Sequence, residues 1–311
     1  MPSTCATLSG RSTVRDRLLV TGARGQLGTD LVAEFRRRAD VVGCDLDDFD
    51  ITDPAAVRQH VAAVRPTVVI HAAAFTEVDR CEAEPERAIR VNADGAAFVA
   101  EACRAVGAHL VFYSTDYVFD GARRTPYVES APPNPRTVYG RSKLEGERRT
   151  SAAQPDSAIL RLAWMYGAHG RNFVVTMLAR GAEQLEAARR GESIASLQVV
   201  DDQVGNPTWT RDVVRQTEIV LRERLTGLYH CSAEGETSWY GLAAFIFSRL
   251  GMAVDLRPCT TAALGRPAPR PAYSSLENAA LKAAGCHVMR DWREALAEFL
   301  AGRREAALYA V

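Results

Sequence analysis

The stretch Thr21-Gly22-Ala23-Arg24-Gly25-Gln26-Leu27-Gly28 decides the fold, because it joins a short apolar run at residues 18–21 to a helical pattern at residues 26–38. A glycine-rich turn between a strand and a helix brings backbone N–H groups close to a pyrophosphate. Asp45 follows the next apolar run, residues 41–44, where a carboxylate can accept hydrogen bonds from ribose hydroxyls. The spacing G-x-x-G-x-x-G differs from the G-x-G-x-x-G of simple dehydrogenases, but this context predicts a dinucleotide-binding site rather than a purely structural turn.

Outward from this turn, short apolar runs alternate with longer helical patterns, which is typical of βαβ units in a parallel sheet. Most of the runs are apolar throughout, as strands buried on both faces should be. The predicted strands are residues 18–21, 41–44, 67–72, 110–114, 158–162, 197–201 and 227–231, and the predicted helices are residues 26–38, 53–64, 85–106, 138–150, 172–190, 211–224, 240–250 and 292–300. Proline-rich loops are expected at residues 126–135 and 260–271.

The order of these elements predicts a Rossmann-like α/β fold, a doubly wound parallel sheet of six or seven strands with a smaller C-terminal lobe. We assign residues 17–166 and 197–226 to the dinucleotide-binding domain. Residues 167–196 and 227–311 form the predicted substrate lobe, and residues 1–16 are expected to be a flexible tail.

Charge and composition exclude several classes of partner. The 311 residues carry 38 Lys and Arg against 38 Asp and Glu, so no net field attracts nucleic acid or an anionic membrane. No apolar run is long enough to span a bilayer or to form a signal-peptide core, which predicts a cytoplasmic location. The seven cysteines include no C-x-x-C pair and the six histidines no H-x-x-x-H pair, so neither a disulfide framework nor a metal site is predicted.

Two clusters further along the chain could carry acid–base chemistry. Tyr139 and Lys143 stand four positions apart near the start of a predicted helix, so both side chains can face one cleft. A nearby cation favours the tyrosine anion and would lower its pKa from about 10. Thr115, Asp116 and Tyr117 follow a buried strand, at the end where ligands bind in open α/β sheets. The Y-x-x-x-K spacing alone is also common on solvated helix surfaces, so its meaning depends on these neighbours.

Five longer motifs occur in order along the chain. They are Gly25-Gln26-Leu27-Gly28, His71-Ala72-Ala73-Ala74-Phe75-Thr76-Glu77-Val78-Asp79, Ser114-Thr115-Asp116-Tyr117-Val118-Phe119-Asp120-Gly121, Tyr139-Gly140-Arg141-Ser142-Lys143-Leu144-Glu145-Gly146-Glu147 and Asp202-Gln203-Val204-Gly205-Asn206-Pro207-Thr208. Together they resemble the dTDP-4-dehydrorhamnose reductases of the extended short-chain dehydrogenase/reductase superfamily. Enzymes of that family pass a hydride from a reduced nicotinamide to the C4 ketone of a nucleotide-linked 6-deoxyhexose. The resemblance therefore implies an NAD(P)H-dependent oxidoreductase that acts on a dTDP-sugar, and it allows a homodimer.

The resemblance also implies roles for individual residues. Tyr139 would give a proton to the carbonyl oxygen, Lys143 would bind the nicotinamide ribose and lower the tyrosine pKa, and Thr115 would donate a hydrogen bond to the same oxygen. The implied cofactor contacts are Gly22, Arg24, Gly25, Gln26, Leu27, Gly28, Asp45, Asp50, Ile51, Ala72, Ala73, Ala74, Asn92, Tyr139 and Lys143. The implied substrate contacts are Thr76, Val78, Asp79, Thr115, Asp116, Tyr117, Trp164, Asn172 and Phe173. Asp50 and Ile51 would end a short third strand.

Several details stay open at this point. Arg24 would attract the 2'-phosphate of NADPH whereas Asp45 would repel it, so either NADPH or NADH is expected, with NADPH slightly favoured. Trp164 could stack on a sugar or thymine face, or could equally pack between the lobes. Leu162 replaces a hydroxyl that is common in the family, which could shift the sugar preference. The sugar could serve rhamnose synthesis or an antibiotic deoxysugar, including the dihydrostreptose type.

Single residues help to distinguish a reductase from proteins with related functions. A sugar-nucleotide 4,6-dehydratase is disfavoured, because Tyr117 stands where those enzymes carry the glutamate needed for elimination. An epimerase is excluded less firmly. A non-catalytic alternative is a dinucleotide-binding regulatory subunit, since that of animal methionine adenosyltransferase resembles the same fold. The intact set of Thr115, Tyr139 and Lys143 favours the enzyme.

Overall fold

The computed structural model describes residues 16–192 and 195–308. The predicted tail therefore lies outside the described residues, except for Asp16. The carbonyl of Asp16 accepts the N–H of Asp40 at 3.0 Å, and its carboxylate accepts the hydroxyl of Thr67 at 3.2 Å. The last residue of the predicted tail is thus already bonded to the sheet.

Six strands form a parallel sheet at the centre of the molecule, in the order β10-β5-β4-β3-β1-β2. The strands in chain order are β1 (Arg17–Thr21), β2 (Asp40–Cys44), β3 (Val68–His71), β4 (His109–Thr115), β5 (Ala158–Leu162), β6 (Met165–Tyr166), β7 (Leu197–Val200), β8 (Val204–Gly205), β9 (Thr208–Trp209), β10 (Gly227–His230), β11 (Thr237–Ser238) and β12 (Leu256–Cys259). Three small sheets pair β11 with β8, β12 with β7 and β6 with β9. The central sheet runs outward in both directions from β1 and β3, as in doubly wound folds, and it confirms the predicted fold class.

Helices cover both faces of this sheet. They are α1 (Gln26–Phe35), α2 (Pro54–Val64), α3 (Val78–Ala83), α4 (Pro85–Ile89), α5 (Gly95–Val106), α6 (Val138–Ala153), α7 (Phe173–Arg189), α8 (Thr210–Arg222), α9 (Trp239–Leu250), α10 (Thr261–Leu264), α11 (Ala279–Ala283) and α12 (Trp292–Leu308). Helix α1 packs beside α8, and α2 packs beside α5. Within the described ranges, no helix combines the length and the apolar character needed to cross a bilayer.

The core lies on both sides of the sheet because its strands are apolar throughout. Leu18 and Val20 join a buried cluster that includes residues of α1 and α8. Leu19, between them, points to the opposite face and joins a cluster with residues of α2 and α5. Successive strand residues alternate between faces, so an apolar run is buried on both of them.

Polar caps fix the starts of the helices that matter for the site. The carboxylate of Asp53 accepts the N–H of Ala55 at 2.8 Å and precedes Pro54, as the sequence predicts for α2. Thr137 caps α6 and Asn172 caps α7 in the same way. These caps set the residue at which each helix begins.

Three predicted elements differ from the structure. The expected helix at residues 85–106 is divided into α4, a π-helical turn at Arg90–Asp94 and α5. The short strand expected to end at Asp50 and Ile51 is replaced by a turn at residues 45–48, in which the Asp48 carboxylate accepts the N–H of Asp45 at 2.7 Å. The proline-rich loop at residues 260–271 contains the short helix α10.

The smaller lobe has its own core, formed largely by α7, α9 and α12 around buried aromatic and aliphatic side chains. Strand β10 does not belong to it. Gly227–His230 lies in parallel register with Ala158–Arg161 of β5. The predicted boundary at residue 227 assigns this strand to the smaller lobe, whereas its pairing places it in the central sheet.

Candidate active site

The glycine turn between β1 and α1 packs against neighbouring backbone at distances that only residues without a Cβ allow. Gly22 has a φ of +68°, and a Cβ there would stand 2.6 Å from the backbone nitrogen of Ala73. A Cβ on Gly28 would collide with the Gly22 carbonyl oxygen, so α1 rests directly on the turn. No side chain caps α1 at Gly25, which leaves its N-terminus suited to a phosphate.

A cavity of about 400 Å³ lies beside this turn at the ends of β1, β2 and β3. The carboxylate of Asp45 lines it and accepts the N–H groups of Arg24 and Leu46, each at 2.9 Å. These bonds fix the carboxylate where ribose hydroxyls could reach it. The cavity brings together the predicted cofactor residues Gly22, Asp45, Asp50, Ile51, Ala73 and Ala74. Leu46, Phe49 and Arg90 also line it, and no sequence motif indicated them.

A second cavity, of about 530 Å³, opens at the C-terminal ends of β1, β4 and β5, and we call it the catalytic cleft. The predicted residues that line it are Gly22, Gly25, Gln26, Leu27, Gly28, Ala72, Ala74, Thr76, Val78, Thr115, Asp116, Tyr117, Tyr139, Lys143 and Trp164. The glycine turn and the proposed catalytic residues therefore open onto one space. Sequence reasoning missed Arg171, Gln203 and Trp239, which also line the cleft.

Helix α6 presents the acid–base pair to this cleft. Thr137 begins the helix by accepting the N–H of Gly140 at 2.9 Å, which places Tyr139 in the first turn. Lys143 follows one turn later on the same face. The hydroxyl of Thr115, at the end of β4, hydrogen-bonds to the Tyr139 hydroxyl. Thr115 and Tyr139 are therefore in contact, and Lys143 lines the same cleft.

Burial controls the protonation of this pair. Burial raises the pKa of Tyr139 above its usual value, although the hydrogen bond from Thr115 opposes this shift. The expected lowering of the Tyr139 pKa by Lys143 is not observed, because desolvation sets the direction of the shift and Lys143 is not among the groups that act on Tyr139. Burial lowers the pKa of Lys143 to about 7, against the opposing charge of Glu147. At neutral pH Tyr139 holds its proton and is suited to be a general acid.

Asp116 adds a buried carboxyl group beside the same hydroxyls. Its Oδ1 accepts the Thr115 hydroxyl at 3.0 Å, and the residue is 3% exposed. Burial raises the pKa of Asp116 to about 6. Tyr117, next in the chain, packs its ring edge against Tyr139 with the ring centroids 5.5 Å apart. These two residues narrow the cleft next to the tyrosine hydroxyl.

An aromatic wall closes one side of the cleft. The indole rings of Trp164 and Trp239 lie parallel with their centroids 3.5 Å apart. The ring of Phe173 packs against Trp239 with a centroid distance of 4.6 Å. Trp164 has a φ of +42°, and its Nε1 donates to the Ser274 hydroxyl at 3.2 Å. Trp164 was expected either to stack on the substrate or to pack between the lobes. In the structure its side chain lines the cleft and stacks on Trp239 of the smaller lobe. A strained backbone at such a position is typical of functional sites.

A third cavity, of about 500 Å³, continues from the cleft into the smaller lobe, and we call it the lobe cavity. The two cavities share Tyr117, Arg171, Gln203 and Trp239. The lobe cavity is also lined by Asn172, Phe173, Arg266 and Arg270. Its three arginine side chains make it suited to an anion.

Four predicted contacts have partners within the protein. Asp79 forms an ion pair with Arg270 at 2.9 Å. The amide of Asn92 is buried and bonds to both backbone groups of Phe75 and to the Ser142 hydroxyl, all within 2.9 Å. Arg24 pairs with Asp47 at 2.8 Å, and Asn172 caps α7 through a 3.0 Å bond. Asn92 in particular lines none of these cavities, so its contribution is to join the β3 loop to α6.

In the described part of the chain, no three His, Cys, Asp or Glu side chains lie close enough together to hold a metal ion.

Comparison with known proteins gives consistent matches along nearly the whole length. The model of the RmlD substrate binding domain family matches residues 16–304. A dTDP-4-dehydrorhamnose reductase from Streptomyces griseus is 45% identical over 292 residues, which cover 91% of this chain and 93% of the relative. A probable dTDP-4,6-dihydroxy-2-methyloxan-3-one 4-ketoreductase from Streptomyces antibioticus is 43% identical, covering 91% of this chain and 94% of the relative.

A solved structure agrees with these sequences. The dTDP-4-dehydrorhamnose reductase of Bacillus anthracis, crystallised in complex with NADP, superposes with a TM-score of 0.88 at 38% identity. The superposition covers 93% of this chain and all of that one.

Proposed function

The chain belongs to the dTDP-4-dehydrorhamnose reductase family, and on that premise we propose that it reduces the C4 ketone of a dTDP-linked 4-keto-6-deoxyhexose with NADPH or NADH. The observation that carries the proposal is the meeting of Thr115, Tyr139 and Lys143 beside the glycine turn in one cleft. A protein that only bound a dinucleotide would need the turn but not this acid–base set.

The cofactor's site fits the dinucleotide that the family uses. The N-terminus of α1 has no side-chain cap and lines the catalytic cleft, and Asp45 is fixed to accept ribose hydroxyls. NAD(P)H, when bound there, supplies the hydride that adds to C4 of the sugar. Lys143 would bind the nicotinamide ribose from the floor of the cleft.

The residues of the chain supply the proton. Tyr139 would donate a hydrogen bond to the ketone oxygen, and Thr115 would donate a second once its hydroxyl turns from Asp116 to the substrate. Both bonds stabilise the negative charge that develops on that oxygen. Tyr139 would then transfer its hydroxyl proton to that oxygen, so that the ketone becomes an alcohol. The ammonium of Lys143 would stabilise the tyrosine anion left behind.

The substrate is proposed to span both cavities. Its deoxyhexose would lie in the catalytic cleft, and its nucleoside diphosphate would extend into the lobe cavity, where Arg171, Arg266 and Arg270 can bind phosphate oxygens. The shared residues Tyr117 and Trp239 would mark the junction between sugar and nucleotide. Asp79 contributes indirectly, because its carboxylate holds Arg270 in place.

A cytoplasmic location is part of the proposal. It is supported by the cysteines of the described residues, Cys44, Cys81, Cys103, Cys231, Cys259 and Cys286, which are free thiols as expected in a reducing compartment. The homodimer allowed by the resemblance stays a prediction that size-exclusion chromatography with light scattering can test. The sugar, for rhamnose or for an antibiotic deoxysugar, is to be identified by activity.

The test is a reduction assay with the Tyr139→Phe variant. Purified protein is mixed with enzymatically generated dTDP-4-dehydro-L-rhamnose and other dTDP-4-keto-6-deoxyhexoses, and NADPH or NADH absorbance is followed. We expect the parent protein to oxidise the cofactor and the variant to be slower by about 10²-fold or more, with cofactor binding retained.

The matched control is Tyr229→Phe on β10, which removes a phenol that donates to the Thr226 carbonyl, away from the cleft. It should keep the parent rate. Cofactor binding without turnover on any of these sugars would instead support the regulatory alternative.

A further inference from the structure

A buried ion pair lies behind the catalytic cleft. Glu147 of α6 is 5% exposed and Arg161 of β5 is 2% exposed. The carboxylate binds the guanidinium through two bonds, 2.8 Å from Nε to Oε1 and 2.7 Å from Nη2 to Oε2. The Ser114 hydroxyl donates to the same Oε1 at 2.5 Å. Both carboxylate oxygens are therefore occupied, so Glu147 cannot itself exchange protons with a substrate.

The position of this carboxylate connects three elements of the site. Ser114 and Arg161 stand opposite each other in the register of β4 and β5, and Thr115 is the next residue of β4. Glu147 follows Lys143 by one helical turn, on the same face of α6. One carboxylate therefore holds α6 against the strand ends that carry the hydroxyl of Thr115.

Lys143 is enclosed by the protein. It is 3% exposed, and its Nζ lies 4.2 Å from the centre of the Phe112 ring. The titratable and charged groups around it are Tyr139 and Glu147 on α6, His71 on β3, Asp116 just after β4 and Arg161 on β5.

Glu147 is the charge that acts on the lysine, whereas His71 is neutral. Burial, helped by the charge of Lys143, lowers the pKa of His71 to about 3, so the imidazole is neutral and does not compete with the ammonium. The charge of Glu147 opposes the loss of the lysine proton that burial favours.

A buried ion pair is by itself weak evidence for stability, because desolvation offsets most of its attraction. Its place beside the catalytic lysine suggests another use. We propose that Glu147 is a positioning residue of the reductase, whose charge keeps Lys143 protonated and whose bonds to Arg161 and Ser114 hold α6 on the sheet. This inference rests on the proposed function of the cleft.

The test compares pH profiles of the full-length parent and the Glu147→Gln variant. Glutamine keeps the shape and can still accept one bond from Arg161 through its amide oxygen, but it lacks the charge. We expect the alkaline limb of kcat to move to lower pH by about one unit, so that the variant is about tenfold less active than the parent at pH 8 and approaches the parent rate well below pH 6. The matched control is Glu145→Gln, because Glu145 is half-buried on the same helix and pairs with Arg149. That variant should keep the parent profile.

A second variant guards against misfolding, since an unpaired Arg161 would be left in the core. The double variant Glu147→Gln with Arg161→Met removes both buried charges and should show the same shift of the alkaline limb. The proposal would be overturned by a folded variant whose alkaline limb coincides with that of the parent. This result would mean that the charge has no role, whether the rate is unchanged or uniformly reduced.

The pH dependence of NADH and NADPH binding, followed by cofactor fluorescence, separates this inference from the proposed function. If no sugar is reduced by any protein but the alkaline limb of binding shifts in Glu147→Gln, the role of Glu147 stands and the reductase assignment fails. If the sugar is reduced and neither alkaline limb shifts, the reductase assignment stands and the proposed role of Glu147 fails.

Discussion

Arg24 and Asp45 are the residues whose sequence signals conflict over the cofactor. In the structure Arg24 donates to Asp47 at 2.8 Å, and its Nε lies 3.9 Å from Asp45. Both partners of the Arg24–Asp47 pair are well exposed, so the pair is weak and can be exchanged for a phosphate. Asp47 would therefore compete with a 2'-phosphate for this guanidinium, a role that no motif indicated.

The Asp47→Asn variant should raise the preference for NADPH. Removing the carboxylate frees Arg24 and takes one negative charge from the place where the 2'-phosphate would lie, so we expect the kcat/KM ratio of NADPH to NADH to increase by about three- to tenfold. Asp40→Asn is the control, since Asp40 pairs with Arg17 at the opposite end of β2. An unchanged ratio in Asp47→Asn would contradict this assignment of Asp47.

Residue types in the site could be predicted from the sequence far better than their partners. Thr115, Tyr139 and Lys143 were found because each stands in a local pattern next to a strand or helix end. The bond between Asp79 and Arg270 joins residues 191 positions apart, and only the tertiary fold brings them together. Asp79 could therefore be placed near the substrate but not identified as the partner of an arginine.

The close contact between the glycine turn and helix α1 leads to a testable prediction. Gly28→Ala would force a Cβ into the Gly22 carbonyl oxygen, so α1 must move away from the turn. We expect cofactor affinity to fall by about tenfold or more, measured by fluorescence titration with NADH and NADPH. Gly302→Ala, in α12, meets no neighbouring atom and should leave affinity unchanged. Equal affinity for Gly28→Ala would argue against a dinucleotide at this turn.

The π-helical turn at Arg90–Asp94 gives a second prediction. Its residue Asn92 satisfies both backbone groups of Phe75 and also donates to Ser142 on α6. Asn92→Ala leaves buried polar groups unpaired and should lower the free energy of unfolding by about 2–3 kcal/mol. Urea denaturation measures this loss. A much smaller loss, together with a large loss of cofactor affinity, would restore the direct cofactor contact that the resemblance implied.

Elements were predicted well where apolar periodicity decides them and less well where polar side chains bond to nearby backbone. The strands of the central sheet follow from their apolar runs. The turn after β2 does not, because Asp48 and Asp50 hold the backbone by local hydrogen bonds that look, in the sequence, like a strand end. The π-helical turn at Arg90–Asp94 has no local signal of this kind, because Asn92 bonds there to Phe75 and Ser142, which are distant in the sequence.

For the whole molecule, buried histidines predict sensitivity to acid. Burial lowers the pKa of His71 and of His230 to about 3, and an unfolded chain restores the usual value of about 6.5. Between pH 6.5 and 3 the unfolded state therefore binds more protons, so stability falls as the pH falls. Each histidine should cost about 1–2 kcal/mol on going from pH 6.5 to 5. Asp116, whose pKa is raised to about 6, opposes part of this loss.

Urea midpoints measured between pH 5 and 7 test this expectation. The His230→Gln variant should show a flatter pH dependence than the parent, whatever its absolute stability. His169→Gln changes an exposed histidine and should keep the parent slope. Parallel slopes for all three proteins would mean that His230 is not held neutral in the folded state.

The pairing of β10 with β5 has a consequence for how the protein is made. The sixth strand of the central sheet comes from residues 227–230, after the chain has already supplied α7, β7, β8, β9 and α8. During synthesis, β5 must remain a bare edge while these residues leave the ribosome, and an apolar edge strand readily pairs with another chain. A nascent chain released before residue 230 would expose this edge permanently. Premature termination in this region should therefore yield aggregates rather than a smaller functional protein.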